Sequence, residues 1–392
     1  MLNMVDLVLN NKTVLIREDF NVPMADGKIS HSARIDAALP TLRQALAMGA
    51  KVIVMSHLGR PTEGQYDAQF SLKPIAEYLS NALGQPVPLC DIDSLPSLSS
   101  SEIVLLENVR FLKGEEKNTP ELARKLASLC DIFVMDAFAV AHRAQASTVG
   151  VAEYANVVCA GPLLQKELEA LKKIFDHPKK PVLAIVGGSK VSTKLQLLTN
   201  LLDKVDILVL GGGIANTFLK AQGLAIGDSL FEADLVPTAK ELLLKAQRLG
   251  KKIWLPEDVV VSDQIDNQAK TTIKLVNEVS AGDKILDIGT RAQISLSDTI
   301  KLANTILWNG PIGVFELAPF AEGTKALANA IANSDAFSVA GGGDTLAAIE
   351  QFKVTEGISY LSTGGGAFLE SLEGITLPAV SILQERSQES IT

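Results

Sequence analysis

Short runs of apolar, often β-branched residues recur along the chain: TVLI (13–16), KVIVM (51–55), EIVLL (102–106), DIFVM (131–135), PVLAIV (181–186), VDILVL (205–210), KIWL (252–255), KILDI (284–288), TILW (305–308), AFSVA (336–340) and ISYLS (358–362). Most are apolar on both faces, and helically spaced stretches separate them. Continuous apolar runs alternating with helices predict parallel sheets covered on both sides, which is the α/β class. Helix starts support the alternation. Thr119, Pro120 and Glu121 before LARKLASLC read as an N-cap, a first-turn proline and a first-turn acid.

A chain of 392 residues exceeds one ordinary core and predicts two or three domains. The strongest boundary lies between Gly150 and Pro181, where VAEYANVVCAGP leads into the charged amphipathic stretch LLQKELEALKKIF and the turn DHPKKP. We therefore expect a first lobe over 1–160, a helix and hinge over 161–180, and a second lobe over 181–373.

Composition narrows the function. Hydrophobic residues make up 47% and charged residues 21%, which is globular usage. The net charge of −9 disfavours a nucleic acid or an anionic membrane as partner, because phosphate-backbone binding needs a basic footprint. No run approaches the roughly 18 apolar residues of a membrane span, and the first residues lack the basic lead of a secretory signal, so a cytoplasmic location is expected. Cys90, Cys130 and Cys159 form no ligand-spaced pair and are expected to be plain thiols.

In the second lobe, strands lead into glycines and then helices at IVGGSK (185–190), LGGGIAN (210–216), AGGGDT (340–345) and TGGGAF (363–368). At the carboxyl ends of parallel strands, such turns let backbone N–H groups approach a phosphate. Each alone is equally a tight strand-to-helix connection, but four together favour phosphate binding. Neither G-x-x-x-x-G-K-[ST] nor G-x-G-x-x-G occurs, which excludes a Walker loop and disfavours a nicotinamide dehydrogenase. Lys190 and Lys194 are expected at i, i+4 on one face of the helix that GGS opens. Asp344 is either a magnesium ligand between nucleotide phosphates or simply an N-cap.

Polar strand ends gather in the first lobe. REDFNVP (17–23) is expected to alternate so that Arg17, Asp19 and Asn21 share a face; SHLGRP (56–61) carries His57 and Arg60, ENVRF (107–111) Arg110, and DAFAVAHRAQAS (136–147) His142 and Arg143, while Arg34 opens a helix. Arginines give bidentate recognition of carboxylate and phosphate, so the set suits a small polyanion. His57 and His142 lack partners at metal-ligand spacing. No motif of an activated nucleophile or general base is present, which fits phosphoryl transfer onto an oxygen that is already anionic.

With these motifs in place, the chain resembles the phosphoglycerate kinases over its full length. DFNVP, SHLGRP, LLENVRF, AHRA, GGSKVSTK, GGGIANTF, LWNGPIGVFE, GGGDT and STGGGAFLE match that family's segments in order. The resemblance implies two Rossmann-like lobes, each a parallel sheet covered by helices, joined by a helix and hinge, with a C-terminal tail (374–392) packing back on the first. It implies reversible transfer between 1,3-bisphosphoglycerate and Mg-ADP giving 3-phosphoglycerate and ATP in glycolysis, by a monomer that closes its hinge and stabilises charge without a general base. By the same resemblance Asp19, Phe20 and Asn21 would orient the glycerate, Arg34 would approach the reacting carboxyl, and His57, Leu58, Gly59, Arg60, Arg110 and Arg143 would hold the distal phosphate. Lys190, Lys194, Gly365 and Gly366 would serve the transferring group. Gly211, Gly212, Pro311 and Glu316 would border adenosine and ribose, Gly342, Gly343 and Thr345 the phosphates, and Asp344 would bind Mg²⁺. Departures from the family pattern fall at Ala139, Val140, Gln145, Thr193 and Thr290, and none removes a charge given a chemical role.

Overall fold

The computed structural model describes residues 1–389, so positions 390–392 of the expected tail lie outside the described residues. The chain divides into two compact units, Met1–Glu169 together with the segment from Thr376 onward, and Ala170–Ile375. The division falls inside the helix Pro162–Phe175, which runs from one unit into the other.

The first unit holds a six-stranded parallel sheet of β1 (Thr13–Arg17), β2 (Lys51–Met55), β3 (Leu89–Cys90), β4 (Ile103–Leu106), β5 (Ile132–Met135) and β6 (Val157–Ala160), in the order β3-β4-β2-β1-β5-β6. The second holds β7 (Val182–Val186), β8 (Ile207–Leu210), β9 (Lys252–Trp254), β10 (Thr305–Asn309), β11 (Phe337–Gly341) and β12 (Tyr360–Ser362), in the order β9-β8-β7-β10-β11-β12. In each sheet the first strand is central and later strands add on both sides. That reversal is a topological switch point, where open α/β sheets bind ligands beyond the carboxyl ends of the strands. The parallel α/β sheets expected from the pattern, and the two Rossmann-like lobes that the family resemblance implies, are present.

Burial explains the apolar runs. Val14, Leu15 and Ile16 are all fully buried although they alternate in direction, as are Val182 through Val186, because helices cover both faces of each sheet. Ile35, Leu39 and Leu42 of the helix Ala33–Ala47 pack with Val14, Ile16, Val52 and Val54, and Leu296 and Leu327 pack with Ile185, Ile306 and Trp308.

One run is misread by its pattern. KILDI (284–288) belongs not to a parallel sheet but to a small antiparallel one, where Asp258–Ser262 pairs with both Thr272–Leu275 and Lys284–Ile288. Leu286 and Ile288 are buried like any core-strand residue, so periodicity does not distinguish the two settings. Strands β3 and β6 and the segments 258–262 and 272–275 had no strand expectation. The alternation expected over 17–23 also fails, because β1 ends at Arg17 and the Asp19 carboxylate accepts the Asn21 N–H (3.1 Å), turning the chain.

Asp136, just past β5, ties the sheet to the helix Pro162–Phe175. Its Oδ1 accepts the N–H groups of Leu163 (2.8 Å) and Leu164 (3.0 Å), and its Oδ2 accepts the Thr41 hydroxyl. A carboxylate on free N–H groups at a helix start satisfies donors that the helix cannot. The helix Pro378–Glu389 also belongs to the first unit: Ala379 N–H donates to Ala141 O (3.1 Å) and the Arg386 guanidinium to the carbonyls of Ala152, Glu153 and Ala155. Among the described residues no helix is long and apolar enough to cross a membrane. Asp136→Ala removes the cap and strands Thr41, and should lower the unfolding free energy by on the order of 2 kcal/mol in denaturant titration; wild-type stability would refute the capping role.

Candidate active site

In the first unit the loops after β1, β2, β4 and β5 meet at the carboxyl edge of the sheet. Asp19 and Asn21 fix Arg34: its Nη1 donates to Asp19 Oδ2 (2.8 Å) and to Asn21 O (3.0 Å). Asn21 Oδ1 in turn accepts the Gly59 N–H (2.9 Å), and Phe20 N–H donates to Ser56 Oγ (2.8 Å), so the turn after β1 is bonded to the loop after β2. The Asn108 amide donates to the carbonyls of Leu58 (2.8 Å) and Phe70 (2.9 Å), and Arg110 Nη1 donates to Gly59 O, which binds in the loop after β4. Phe20 and Leu58 are buried supports rather than polar contacts.

These bonds gather cations. His57 is buried, and its proton affinity is driven well below the ordinary histidine range by burial first and then by Arg17, Arg110, Arg143 and Arg34, so the ring is neutral. Burial, then Arg143, also presses on Arg110. Arg110 Nε is buried with no hydrogen-bond partner, which marks a donor built for something other than this chain's own groups. Arg60 is exposed one residue beyond Gly59, and Arg143 Nε lies 3.4 Å from His142 Nε2. The structure therefore brings Asp19, Asn21, Arg34, His57, Arg110 and Arg143 into one neighbourhood.

Two participants had no assigned role. Arg17 is fully buried beneath the cluster, and Glu115 is buried behind it. Arg17 was visible as a charge at a strand end. Glu115 carries no sequence signal, since GEE reads as an ordinary polar loop.

The second unit offers a cavity of about 460 Å³ lined by Gly188, Gly212, Gly213, Pro311, Glu316 and Asp344, among others. Glycine is required here by close approach. A Cβ on Gly213 would sit 2.2 Å from Ser189 O, so the β7 and β8 loops could not pack as they do. Gly342 (φ 102°) is the N-cap of the helix Gly343–Gln351, a backbone conformation that side chains disfavour. Asp344 is consequently not the N-cap but an acid in the first turn of that helix. Thr345 Oγ1 accepts the Gly310 N–H (2.8 Å), joining the β10 and β11 loops.

The expectation for the lysines is corrected. The helix after β7 starts only at Leu195, so Lys190 and Lys194 do not share a helix face, and GGS opens a turn rather than a helix. Lys194 N–H donates to Val191 O (2.9 Å) and Thr193 Oγ1 to Lys190 O (2.9 Å), which closes that turn. The Lys194 ammonium donates to Asn309 Oδ1, and the Asn309 amide donates to Gly341 O (2.8 Å). Burial lowers the proton affinity of Lys194, and the neighbouring Asp344 and Glu373 oppose that. Lys190 is exposed. Gly211 is the N-cap of the helix Gly212–Ala221 and Gly365 (φ 49°) that of Gly366–Leu372, so three of the four glycine turns run straight into a helix, as expected of all four, and the first does not.

An α/β chain with an arginine-rich cluster in one unit and a glycine-lined cavity in the other fits the phosphotransferase class. A family model described as phosphoglycerate kinase matches residues 4–375. Relatives named phosphoglycerate kinase include that of Francisella philomiragia, 58% identical over 387 residues (98% of this chain and 99% of the relative), and that of Francisella tularensis, 57% identical over 388 (98% and 99%). The solved phosphoglycerate kinase of Coxiella burnetii superposes with a TM-score of 0.95 at 53% identity, covering 98% of this chain and 99% of that one; the Pyrococcus horikoshii enzyme gives 0.80 at 35%, covering 98% of each. The chain belongs to the phosphoglycerate kinase family.

Behind the cavity of the second unit, buried Asp287 accepts the Gly323 N–H at Oδ2 (2.7 Å), and its Oδ1 would lie 2.4 Å from a Cβ on Gly313. Burial pushes its carboxyl up to about 7. The folded state then holds a proton that the unfolded chain releases near pH 4, so this group's contribution is full below that pH and is lost as pH rises through about 7. Asp287→Asn removes the titration, and its melting temperature relative to wild type should climb between pH 5 and 8. A constant difference would refute the assignment.

Proposed function

We propose that this chain catalyses reversible phosphoryl transfer between 1,3-bisphosphoglycerate and ADP, yielding 3-phosphoglycerate and ATP, with the first unit holding the glycerate and the second the nucleotide. The observation that carries this reading is the convergence of Arg34, Arg110 and Arg143 on a neutral His57, with Arg110 Nε buried and unbonded, in a chain whose other unit carries a glycine-lined cavity. Such a transfer is catalysed by positioning and charge neutralisation. The acceptor carboxylate is already an anion, and no base has to remove a proton.

Asp19 and Asn21 hold Arg34 through Nη1, so its guanidinium is set before substrate arrives and can meet charge on the reacting carboxyl. His57, Arg60, Arg110 and Arg143 take the distal phosphate, with Leu58 and Gly59 shaping that loop. Gly211, Gly212 and Pro311 border the base, Glu316 the ribose, and Gly342, Gly343 and Thr345 the nucleotide phosphates. Lys190, Lys194 and the Gly365–Gly366 helix start serve the group in transit. Among the described residues no cluster of three or more His, Cys, Asp or Glu could cage a metal, and one carboxylate on a phosphate pocket, Asp344, is what magnesium shared with nucleotide phosphates needs. Bound there, Mg²⁺ would neutralise phosphate charge. One chain carries both ligand sets, so a monomer suffices, and a cytoplasmic location accords with a glycolytic reaction.

The direct test is a coupled assay of ATP-dependent 3-phosphoglycerate consumption with and without magnesium; no turnover of 3-phosphoglycerate would overturn the reading. Asp344→Asn should lower turnover by roughly 10²-fold and raise the magnesium requirement, while the KM for 3-phosphoglycerate stays near wild type. Unchanged turnover would leave Asp344 without a chemical role.

Substitutions in the other unit separate binding from chemistry. Arg34→Ala should reduce kcat by about 10²-fold or more with a smaller rise in KM, whereas Arg143→Ala should act mainly on the KM for 3-phosphoglycerate. The reverse pattern would exchange the two roles.

A further inference from the structure

We propose that Arg17, seated on Ser147 and Glu115, is a positioning residue that fixes His57 as the neutral tautomer with its proton on Nε2. The use of that tautomer in anion binding rests on the function proposed above; the tautomer itself does not.

The argument follows the direction of each hydrogen bond. Glu115 is fully buried and its carboxylate accepts twice from Ser147, from the backbone N–H (2.9 Å) and from the hydroxyl. The hydroxyl's single proton is thereby committed, so Ser147 Oγ meets Arg17 Nε as an acceptor, at 2.9 Å. Arg17 Nη1 donates to Glu18 O, and its Nη2 lies 3.4 Å from His57 Nδ1. A guanidinium has no lone pair. The Arg17 contact is attractive only if Nδ1 carries the lone pair, which leaves the ring proton on Nε2.

Asp19 competes for the same nitrogen. Its Oδ1 is 3.7 Å from Nδ1 and would favour a proton there. Distance decides against it, since 3.7 Å exceeds a hydrogen bond and Asp19 is already taken up by Arg34 at Oδ2 and by the Asn21 N–H at Oδ1. A proton on Nδ1 would also oppose an Arg17 N–H directly. The charged groups bearing on the ring are Asp19 in the turn after β1, Arg17 at its end, Arg34 from the helix Ala33–Ala47, Arg110 after β4 and Arg143 after β5. Four cations against one nearby carboxylate disfavour an imidazolium, in agreement with the depressed proton affinity of the ring. Glu115 is the origin of the chain of directions. Burial raises its proton affinity, while Arg17 and the two Ser147 hydrogen bonds favour the carboxylate that orients the hydroxyl.

A neutral Nε2–H donor binds an anion without taking up a proton. Its contribution should be level between pH 8 and 5.5, where an ordinary histidine would gain charge.

The test uses the full chain with ¹⁵N-labelled histidine, free of ligand. The sequence has 4 histidines, so His57→Gln identifies the signal. Long-range ¹H–¹⁵N spectra should show the Nε2–H pattern for His57 without titration from pH 8 to 5.5. In Arg17→Met, His57 should titrate or shift toward the Nδ1–H pattern, and the KM for 3-phosphoglycerate should rise several-fold and become pH-dependent, with kcat changing little. Glu115→Gln, which keeps the side-chain shape, should move the pattern in the same direction and supplies the reading if Arg17→Met does not fold. An Nδ1–H pattern in wild type, or an ordinary midpoint near 6.5, would overturn the proposal. A Glu115→Gln protein with wild-type spectra and pH profile would overturn the role of Ser147 and Glu115. Failure of the 3-phosphoglycerate assay in wild type bears on the proposed function, whereas the ligand-free spectra decide the tautomer.

Discussion

The first unit is organised around the difficulty of holding several cations together out of water. Arg17 and Arg110 are nearly inaccessible, and Arg34 and Arg143 bear on the same buried imidazole. A buried charge without partners is strongly unfavourable. The fold meets this with few carboxylates and many carbonyls: Glu18 O faces Arg17, Gly59 O faces Arg110, and Asn21 O faces Arg34. Backbone carbonyls are partial charges fixed by the loop. They orient each guanidinium without cancelling it, and the net positive field survives for an anionic ligand. Three carboxyl groups bear on Arg17, namely Glu115, Asp19 and Glu18, of which Asp19 is spent on Arg34 and Glu115 on Ser147 beneath Arg17.

The second unit is built by the opposite means. Its cavity is walled by four glycines, by apolar side chains such as Leu230, Ile285 and Val314, and by Asp228, Glu316 and Asp344 as acids, while Lys194, behind the turn after β7, is anchored by an amide, Asn309, rather than by a carboxylate. Asn309 is the last residue of β10, and its amide spans to Gly341 at the end of β11. A neutral acceptor orients the ammonium without pairing it to a carboxylate, although burial lowers its proton affinity and Asp344 and Glu373 oppose that. The two units thus share a six-stranded parallel sheet with its first strand inside, in different strand orders, and differ in what gathers at the carboxyl edge: guanidinium side chains in one, glycine turns and a lysine in the other.

Much of this was legible in the sequence, and the failures have definite causes. The parallel sheets were readable because burial on both faces leaves continuous apolar runs. KILDI was misread because Leu286 and Ile288 are buried by another layer of the same unit, which gives the same run in an antiparallel strand. Lys190 and Lys194 were placed on a helix because i, i+4 spacing is silent about where a helix begins, and here the Lys190–Lys194 turn delays it to Leu195. In the site, charged residues at strand ends stood out, but their supports did not. Ser147, Asn309 and Glu115 act through hydrogen-bond direction, which depends on three-dimensional proximity across 32 to 130 residues of chain.

The departures from the family pattern follow the same logic. Ala139 and Val140 lie in the turn Phe138–Val140, which is shaped by main-chain bonds: Val140 N–H to Ala137 O, Ala141 N–H to Phe138 O and Arg143 N–H to Val140 O. The approach to Arg143 is therefore set by backbone, and side-chain identity at 139 and 140 is free to vary so long as Val140 fills its buried place. Thr193 closes the lysine turn through its hydroxyl on Lys190 O. Thr290 begins the helix Thr290–Lys301, whose first N–H groups, at Arg291 and Ala292, are taken by Asp258 from the antiparallel sheet. A cap supplied from elsewhere in the unit relieves position 290 of that task, and this is the physical reason a sequence change at a helix start can leave the neighbouring pocket wall in place.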